Sequence, residues 1–172
     1  MPPHPRRPAV RNHLAGRMRL LTEILDESCV ILDLAASGKD AVIELLVDAL
    51  VRSEVVADRA RMVEDLKKRE RVMSTGIGGG IAVPHAQSSG ANRLALSLGR
   101  LAQPIEFEAL DERPVRLVFM VVGPEERGGF IRVLARISRL LYSGDLQRSL
   151  FRARTAADAI ACIREEEAKI AG

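Results

Sequence analysis

The feature that most constrains the fold is an almost continuous apolar run from Val115 to Val122, which Gly123 and Pro124 end. A run of this composition predicts a central strand that is buried on both faces. Such a strand needs a covering layer on each side. Apolar stripes at helical spacing occur both before and after it, so we expect helices on both faces of a sheet.

The first part of the chain predicts a short strand and two helices. The apolar run from Ser28 to Leu34 indicates the strand. Ser37 and Asp40 have the spacing of a capping box, so we expect Ser37 to cap the first helix. A second helix is expected from about Asp58 to Lys68. Helical spacing predicts the inward residues of both helices: Val42, Leu45, Leu46, Ala49 and Leu50 in the first, and Ala60, Val63 and Leu66 in the second.

Strands precede further helices in the rest of the chain. Alternation from Leu94 to Leu98 predicts a half-buried strand. An apolar stripe predicts a helix from Phe130 to Leu141, and a capping box at Thr155 opens a last helix that runs through Ile163. Three arginines are expected on the solvated face of the Phe130 helix: Arg132, Arg136 and Arg139. This order favours the α/β class, with a mixed central β-sheet, helices on both of its faces, and a single domain over residues 20–172.

Charge is distributed unevenly along the chain. The net charge is +3, but residues 1–19 contain five arginines and no acid, so the remaining residues carry a net charge of −2. The first 19 residues are rich in Pro and Arg without periodicity, which predicts a disordered basic arm, or a start codon placed too early, since Met18 precedes the first organised segment. Aromatic residues make up 3% of the chain, so neither a basic field nor a stacking platform for nucleic acid is expected in the folded part.

Other classes of protein are also disfavoured. Cys29 and Cys162 are far apart and have neither metal-binding nor redox-motif spacing, which favours a reducing cytoplasm. No apolar run approaches the roughly 20 residues that span a bilayer, and no secretory signal follows the basic N-terminus. We therefore expect a cytoplasmic protein with no metal, no cofactor and no segment inserted in a membrane.

The most informative segment for chemistry runs from Ser74 to Gly90. Four of its glycines, at positions 76, 78, 79 and 80, precede the short apolar stretch Ile81–Val83, and Pro84 and His85 follow. Glycines allow backbone N–H groups to approach an anion closely. Pro84 restricts its own backbone and that of Val83, so we expect His85 at a rigid strand end, presented rather than packed.

Familiar phosphate-binding loops do not fit this segment. Gly76 and Gly78 begin a dinucleotide spacing, but residue 81 is Ile, and no Gly-Lys-Ser/Thr follows, so ATP is not the expected phosphate source. The other two histidines lie within residues 1–19, which excludes a multi-histidine metal site and a two-histidine relay in the folded part. A neutral imidazole can still accept and release a phosphoryl group. Arg69, the glycines and the hydroxyls of Ser74 and Thr75 could supply donors, although chemistry alone leaves a structural role for His85 open.

A longer sequence pattern helps to decide between a structural and a chemical role for His85. Arg69-Glu70, Ser74–Gly78, Gly80–Ala82 and Pro84-His85 closely resemble the enzyme IIA domain of the fructose–mannitol class of the bacterial phosphoenolpyruvate:sugar phosphotransferase system, including its nitrogen-regulatory members. The resemblance extends from about Leu20 to Ile163 and includes Pro104-Ile105 and Phe107. It implies that His85 accepts a phosphoryl group from an HPr-type phosphocarrier protein or its nitrogen-branch counterpart. Arg69 would be the phosphate-stabilising arginine rather than a surface charge, and Ser74, Thr75, Gly76 and Gly78 are the further candidates for phosphate stabilisation.

The sequence departs from this family at one point. Members often carry a second histidine near the start of the helix after the central strand, where this chain has Phe130. This departure, and the expected lack of a fused IIB domain or membrane IIC segment, favour a regulatory phosphocarrier that signals to partner proteins. The alternatives are a sugar-transport IIA that passes phosphate to a separate IIB, and a IIA-like binding module without catalysis.

Overall fold

The computed structural model describes residues 20–125 and 129–171. The predictions for residues 1–19 therefore lie outside the described residues. The strands are β1 (Val30–Leu34), β2 (Gly76–Gly78), β3 (Ile81–Ala82), β4 (His85–Gln87), β5 (Ala95–Ile105) and β6 (Val115–Gly123). The helices are α1 (Lys39–Arg52), α2 (Arg59–Val72), α3 (Gly129–Leu141), α4 (Asp145–Arg152) and α5 (Ala156–Ala171). Two short 3₁₀ turns, Leu21–Glu23 and Glu27–Cys29, precede β1.

The strands form one mixed sheet in the order β1-β5-β6-β3-β2, and β4 also pairs with β6. β1 is parallel to β5, β5 is antiparallel to β6, and β2 is antiparallel to β3. β3 and β4 both run parallel to β6 along the same side, where Ile81 lies opposite Leu117 and His85 lies opposite Val121. They are thus two consecutive segments along the same side of β6, separated by Val83 and Pro84.

The central strand β6 confirms the prediction from its apolar run, because all of its residues except Arg116 are buried. α1 packs on β5 and α2 on β4, while α3 packs on β6 and α5 on β1. Side chains that alternate along a strand point to opposite faces, and both sets are buried in β6. Helices α1 and α2 therefore cover one face of the sheet, and helices α3 and α5 cover the other, as the sequence predicts.

Several local predictions in the first helices are wrong. α1 begins at Lys39 after Gly38, whose carbonyl accepts a hydrogen bond from the Val42 N–H at 3.1 Å, and no side chain caps this end. The Ser37 capping box is therefore absent. Leu45 is exposed, because the buried stripe of α1 is centred nearer Ile43, towards its contact with α2. Ala60 is also exposed, because the buried apolar residues of α2 are Met62, Val63 and Leu66.

Predicted boundaries also shift. β1 starts at Val30 rather than Ser28, since the residues before it form a 3₁₀ turn. β5 runs on to Ile105, and its first five residues are all buried rather than half-buried, because it lies between β1 and β6 inside the sheet. α2 continues to Val72 and α5 to Ala171, both beyond their predicted ends.

The C-terminal helices combine a confirmed prediction with an error. The capping box is present: the Asp158 N–H donates to Thr155 Oγ1 at 3.0 Å, and the Thr155 N–H donates to Asp158 Oδ2 at 3.1 Å. Arg136, predicted to be solvated, is 6% exposed and donates from Nε to Glu167 Oε1 at 2.7 Å.

Among the described helices, none combines the length and hydropathy that a bilayer-spanning segment requires.

Candidate functional site

His85 is the first residue of β4, directly after the Val83–Pro84 break between β3 and β4. The Val121 N–H donates to the Pro84 carbonyl at 3.0 Å, which fixes the chain just before His85 to the central strand. The side chain is half-buried. His85 therefore begins a separate strand rather than following the end of the predicted Ile81–Val83 strand, and it is partly packed as well as presented.

The imidazole ring is anchored to its own backbone segment. Nδ1 lies 2.8 Å from the carbonyl oxygen of Val83. A carbonyl oxygen can only accept, so Nδ1 carries the proton and Nε2 carries the lone pair in the neutral ring. Nε2 is therefore the ring atom of His85 that could act as a nucleophile.

The surroundings of His85 favour the neutral ring. Burial lowers the pKa of His85 and is the largest effect, while the hydrogen bond to Val83 raises it. The positive charge of Arg69 lowers the pKa further, and the negative charge of Glu70 raises it. The net result is a pKa below the usual value for histidine, so the ring is neutral at pH 7 with its Nε2 lone pair available.

His85 opens into a cleft between α2, β4 and the start of α3. Arg69 lines this cleft, and its Nη1 donates to the Met73 carbonyl at 3.0 Å, which holds the guanidinium at the C-terminal end of α2. Lys68 lies beside it and is exposed. The other residues that line the cleft are Asp65, Val72, Ala86, Gln87 and Phe130.

Glu70 joins the end of α2 to the glycine-rich segment. It is 6% exposed and accepts three hydrogen bonds, from the Thr75 N–H at 3.0 Å, from Thr75 Oγ1 at 2.6 Å and from Lys39 Nζ at 3.2 Å. A buried carboxylate is stable only with partners of this kind. Sequence reasoning gave Glu70 no role of its own, although its place beside Arg69 in the motif was a signal.

Of the residues predicted to stabilise a phosphoryl group, only Arg69 lines the cleft with His85. The Ser74 hydroxyl donates to the Phe107 carbonyl, and the Thr75 hydroxyl is bonded to Glu70. Both side-chain donors are therefore engaged in holding the β2 region.

The two predicted glycines build the β2–β3 hairpin. A Cβ at Gly76 would lie 2.7 Å from the Cβ of Ala109, so this position needs the close approach that glycine allows. Gly78 has φ +96°, a left-handed conformation that favours glycine. The next N–H, of Gly79, donates to Asp111 Oδ2 at 2.9 Å. The backbone geometry of the hairpin therefore explains why glycine occupies positions 76 and 78.

A second polar link, not found from the sequence, sets the position of α2 against the segment after β4. Asp65 Oδ2 accepts from Ser88 Oγ at 2.6 Å and from Arg61 Nε at 3.1 Å. Ser88 is fully buried and also accepts from the Gly90 N–H at 3.1 Å. Asp65 is thereby held at the side of the cleft.

Within the described residues, no group of three or more His, Cys, Asp or Glu could hold a metal ion.

Comparison with known proteins decides the family. Residues 23–166 match the family described as "Phosphoenolpyruvate-dependent sugar phosphotransferase system, EIIA 2". The chain belongs to this family. The fold agrees: a crystal structure of the nitrogen regulatory protein IIA-Ntr from Neisseria meningitidis aligns with a TM-score of 0.77 and 30% identity, over 83% of this chain and 97% of that one.

Relatives within this EIIA family have both regulatory and transport names. The nitrogen regulatory protein of Bradyrhizobium diazoefficiens is 37% identical over 122 residues, 70% of this chain and 78% of that protein. The fructose-specific EIIABC component of Bacillus subtilis is 32% identical over 136 residues, 78% of this chain but only 21% of that protein. The resemblance seen in the sequence is thereby confirmed, and the chain corresponds to about a fifth of the Bacillus protein.

Proposed function

We propose that this EIIA-family protein is a regulatory phosphocarrier that accepts a phosphoryl group on Nε2 of His85 from an HPr-type phosphocarrier protein. The observation that carries this proposal is the state of the imidazole. Its Nδ1–H is bound by the Val83 carbonyl, its pKa is lowered, and it opens into a cleft that also holds Arg69. That arrangement supplies a neutral nucleophile beside a fixed cation.

The transfer balances with this geometry. The Nε2 lone pair attacks phosphorus, the N–P bond of the donor phosphohistidine breaks, and its electron pair returns to the donor nitrogen. The His85 ring then carries a proton on Nδ1 and a phosphoryl group on Nε2, and its positive charge faces the Val83 carbonyl oxygen. The Arg69 guanidinium offsets the negative charge of the phosphoryl oxygens.

A signalling role follows from the change in charge at the cleft. Before transfer, Lys68 and Arg69 lie at a cleft with a neutral histidine. By analogy with phosphoserine, a phosphoryl group adds about −1.5 to −2 charges, enough to change which partner surface the cleft attracts. Partners would be regulatory target proteins. This role belongs in the cytoplasm, and the two cysteines are free thiols, which fits that compartment.

The proposal is tested by reconstituting the phosphate chain. The protein is incubated with phosphoenolpyruvate, enzyme I and an HPr-type carrier, and its intact mass is measured. We expect an acid-labile gain of about 80 Da, the mass of a phosphoryl group on an imidazole. His85→Ala should lose this adduct. A chain in which His4 and His13 are both replaced by Ala should keep it, which makes it the matched control.

The same assay separates the alternatives. A wild-type protein that never gains the phosphoryl group would contradict the proposal and leave a IIA-like binding module. A labelled protein that passes its phosphoryl group rapidly to separate IIB proteins would instead be a sugar-transport IIA. A labelled protein that keeps the group in the presence of IIB, and whose binding to a regulatory partner changes on labelling, fits the regulatory function.

A further inference from the structure

Phe130 contacts the reactive histidine from a different structural element. It is the second residue of α3 and is 8% exposed, and it lines the cleft that contains His85. The centroids of the two rings lie 6.0 Å apart, and the ring planes are inclined at 53°. This is the separation of a tilted aromatic pair, so the phenyl ring covers part of one side of the imidazole.

Phe130 packs over the end of the central strand. A Cβ at Gly123, the last residue of β6, would lie 3.6 Å from Phe130 Cδ2 and 3.3 Å from Leu94 Cδ1. The phenyl ring therefore lies against the end of β6. Phe130 is a packed wall rather than a loose side chain at the rim of the cleft.

We propose that Phe130 is the positioning residue of His85: its ring covers one side of the imidazole, holds Nδ1 on the Val83 carbonyl, and keeps water from that side of the phosphohistidine. Covering the imidazole and holding Nδ1 concern the unmodified protein. The exclusion of water from the phosphohistidine rests on the proposed function.

The physical reason is the freedom of a histidine side chain. The hydrogen bond to Val83 defines the tautomer only while the ring stays within reach of that carbonyl. Without the phenyl wall, the imidazole can turn towards solvent, where Nδ1 has water as an alternative partner. Nε2 would then be free only part of the time. A phosphoryl group on an uncovered ring would also be open to water from one more side.

Four variants separate positioning from simple packing. Phe130→Tyr keeps the ring, Phe130→Leu keeps apolar volume without a flat ring, and Phe130→Ala removes both. Ile131→Ala is the matched control, because Ile131 is the next residue of α3 and is 72% exposed. Circular dichroism and thermal unfolding identify the variants that fold.

The first measurement needs no phosphoryl transfer. Nitrogen-15 NMR of the imidazole reports which ring nitrogen is protonated, and His85→Gln assigns the signal. We expect a single Nδ1–H tautomer in the wild type, in Phe130→Tyr and in Ile131→Ala, and a mixture of tautomers in Phe130→Ala and Phe130→Leu. A wild-type tautomer in a folded Phe130→Leu would overturn the positioning role, even if Phe130→Ala fails to fold.

The second measurement follows the phosphoryl group. Phosphoramidate serves as a small donor, and phosphorus-31 NMR follows formation and loss of the adduct. We expect about tenfold slower formation in Phe130→Leu, because the reacting nitrogen is misplaced, and a clearly shorter adduct lifetime. An unchanged lifetime would contradict the shielding of the adduct. A wild type that forms no adduct with either phosphoramidate or HPr would instead overturn the proposed function and leave the NMR result to decide the positioning role.

Discussion

The Val83 carbonyl and the burial of the ring shift the pKa of His85 in opposite directions. The hydrogen bond alone would favour the protonated ring, whereas burial and the nearby Arg69 charge favour the neutral ring and prevail. The carbonyl therefore sets the tautomer, and the low-polarity surroundings set the charge. Both effects are needed for a nucleophilic Nε2 at neutral pH.

This balance predicts the pH dependence of phosphoryl acceptance. Because the pKa of His85 is lowered, the folded protein should keep its neutral, reactive ring at pH 6.5, where free histidine is about half protonated. Its rate with phosphoramidate should fall only at lower pH. Arg69→Gln removes a positive charge that lowers this pKa, so the decline should move to higher pH. The rates are measured beside free histidine under the same conditions, which corrects for titration of the donor.

A wild-type profile that coincides with that of free histidine would contradict the lowered pKa. An Arg69→Gln profile that keeps the wild-type midpoint would show that the charge of Arg69 does not act on the ring. A lower rate at every pH in that variant would still be consistent with a separate contact between Arg69 and the phosphoryl oxygens.

A second residue-scale prediction concerns the buried ion pair of α3 and α5. Arg136 and Glu167 are 6% and 2% exposed, and Glu167 also accepts from the Leu21 N–H at 2.7 Å. Arg136→Met leaves a buried carboxylate without its cation. We expect it to lower the free energy of unfolding by about 3–5 kcal/mol, measured by urea unfolding. Arg139→Met on the exposed side of the same helix should change it by less than about 0.5 kcal/mol. Equal effects of the two substitutions would contradict this account.

At the scale of the element, α5 depends on its first turn. Thr155 and Asp158 exchange side-chain hydrogen bonds with each other's N–H groups, which satisfies two free donors at the helix start. Thr155→Ala should therefore lower the free energy of unfolding by about 1 kcal/mol and speed amide exchange in this turn. Thr155→Ser keeps the hydroxyl and should behave like the wild type. Equal losses in both variants would indicate that the methyl group, not the cap, stabilises this end.

The elements that the sequence predicts well are those with local signals. The apolar run of β6, the stripe of α3 and the capping box of α5 each lie within one element and needed no knowledge of distant residues. Arg136 was misplaced because its partner, Glu167, follows it by 31 residues. Arg136 lies next to the apolar stripe around the axis of α3, and this position does not by itself show whether its side chain is buried or exposed to solvent.

The C-terminal end of α2 shows the same limit of local signals. Its last turn contains the consecutive charged residues Arg69, Glu70 and Arg71, so the apolar periodicity fades and the predicted helix stops early. The helix continues to Val72 because Glu70 is bound by Thr75 and Lys39, and because basic residues suit a helix C-terminus. His85 and Arg69 could be predicted as a pair from their motif. The hydroxyl contacts of Ser74 and Thr75 could not, because their partners belong to the tertiary structure.

At the scale of the whole molecule, charge is separated between residues 1–19 and the rest of the chain. Residues 1–19 contain five arginines and no acid, whereas the rest of the chain is slightly negative. Deletion of residues 1–19 should therefore leave both phosphoryl acceptance and the free energy of unfolding almost unchanged. It should also abolish any weak, salt-sensitive binding of the full chain to DNA. Urea unfolding and fluorescence anisotropy with labelled DNA measure these effects. Retained DNA binding by the shortened chain would contradict the prediction of a near-neutral domain surface.

The bond between His85 and Val83 limits the order of events in the proposed transfer. It lies within one short stretch of chain, so the same nitrogen faces outward before and after any partner arrives. Under the proposed function, the donor and a regulatory partner that recognises the phosphorylated His85 must both reach that one nitrogen through one cleft. They cannot be bound there together, so an excess of this partner should slow the loading of His85 by the donor.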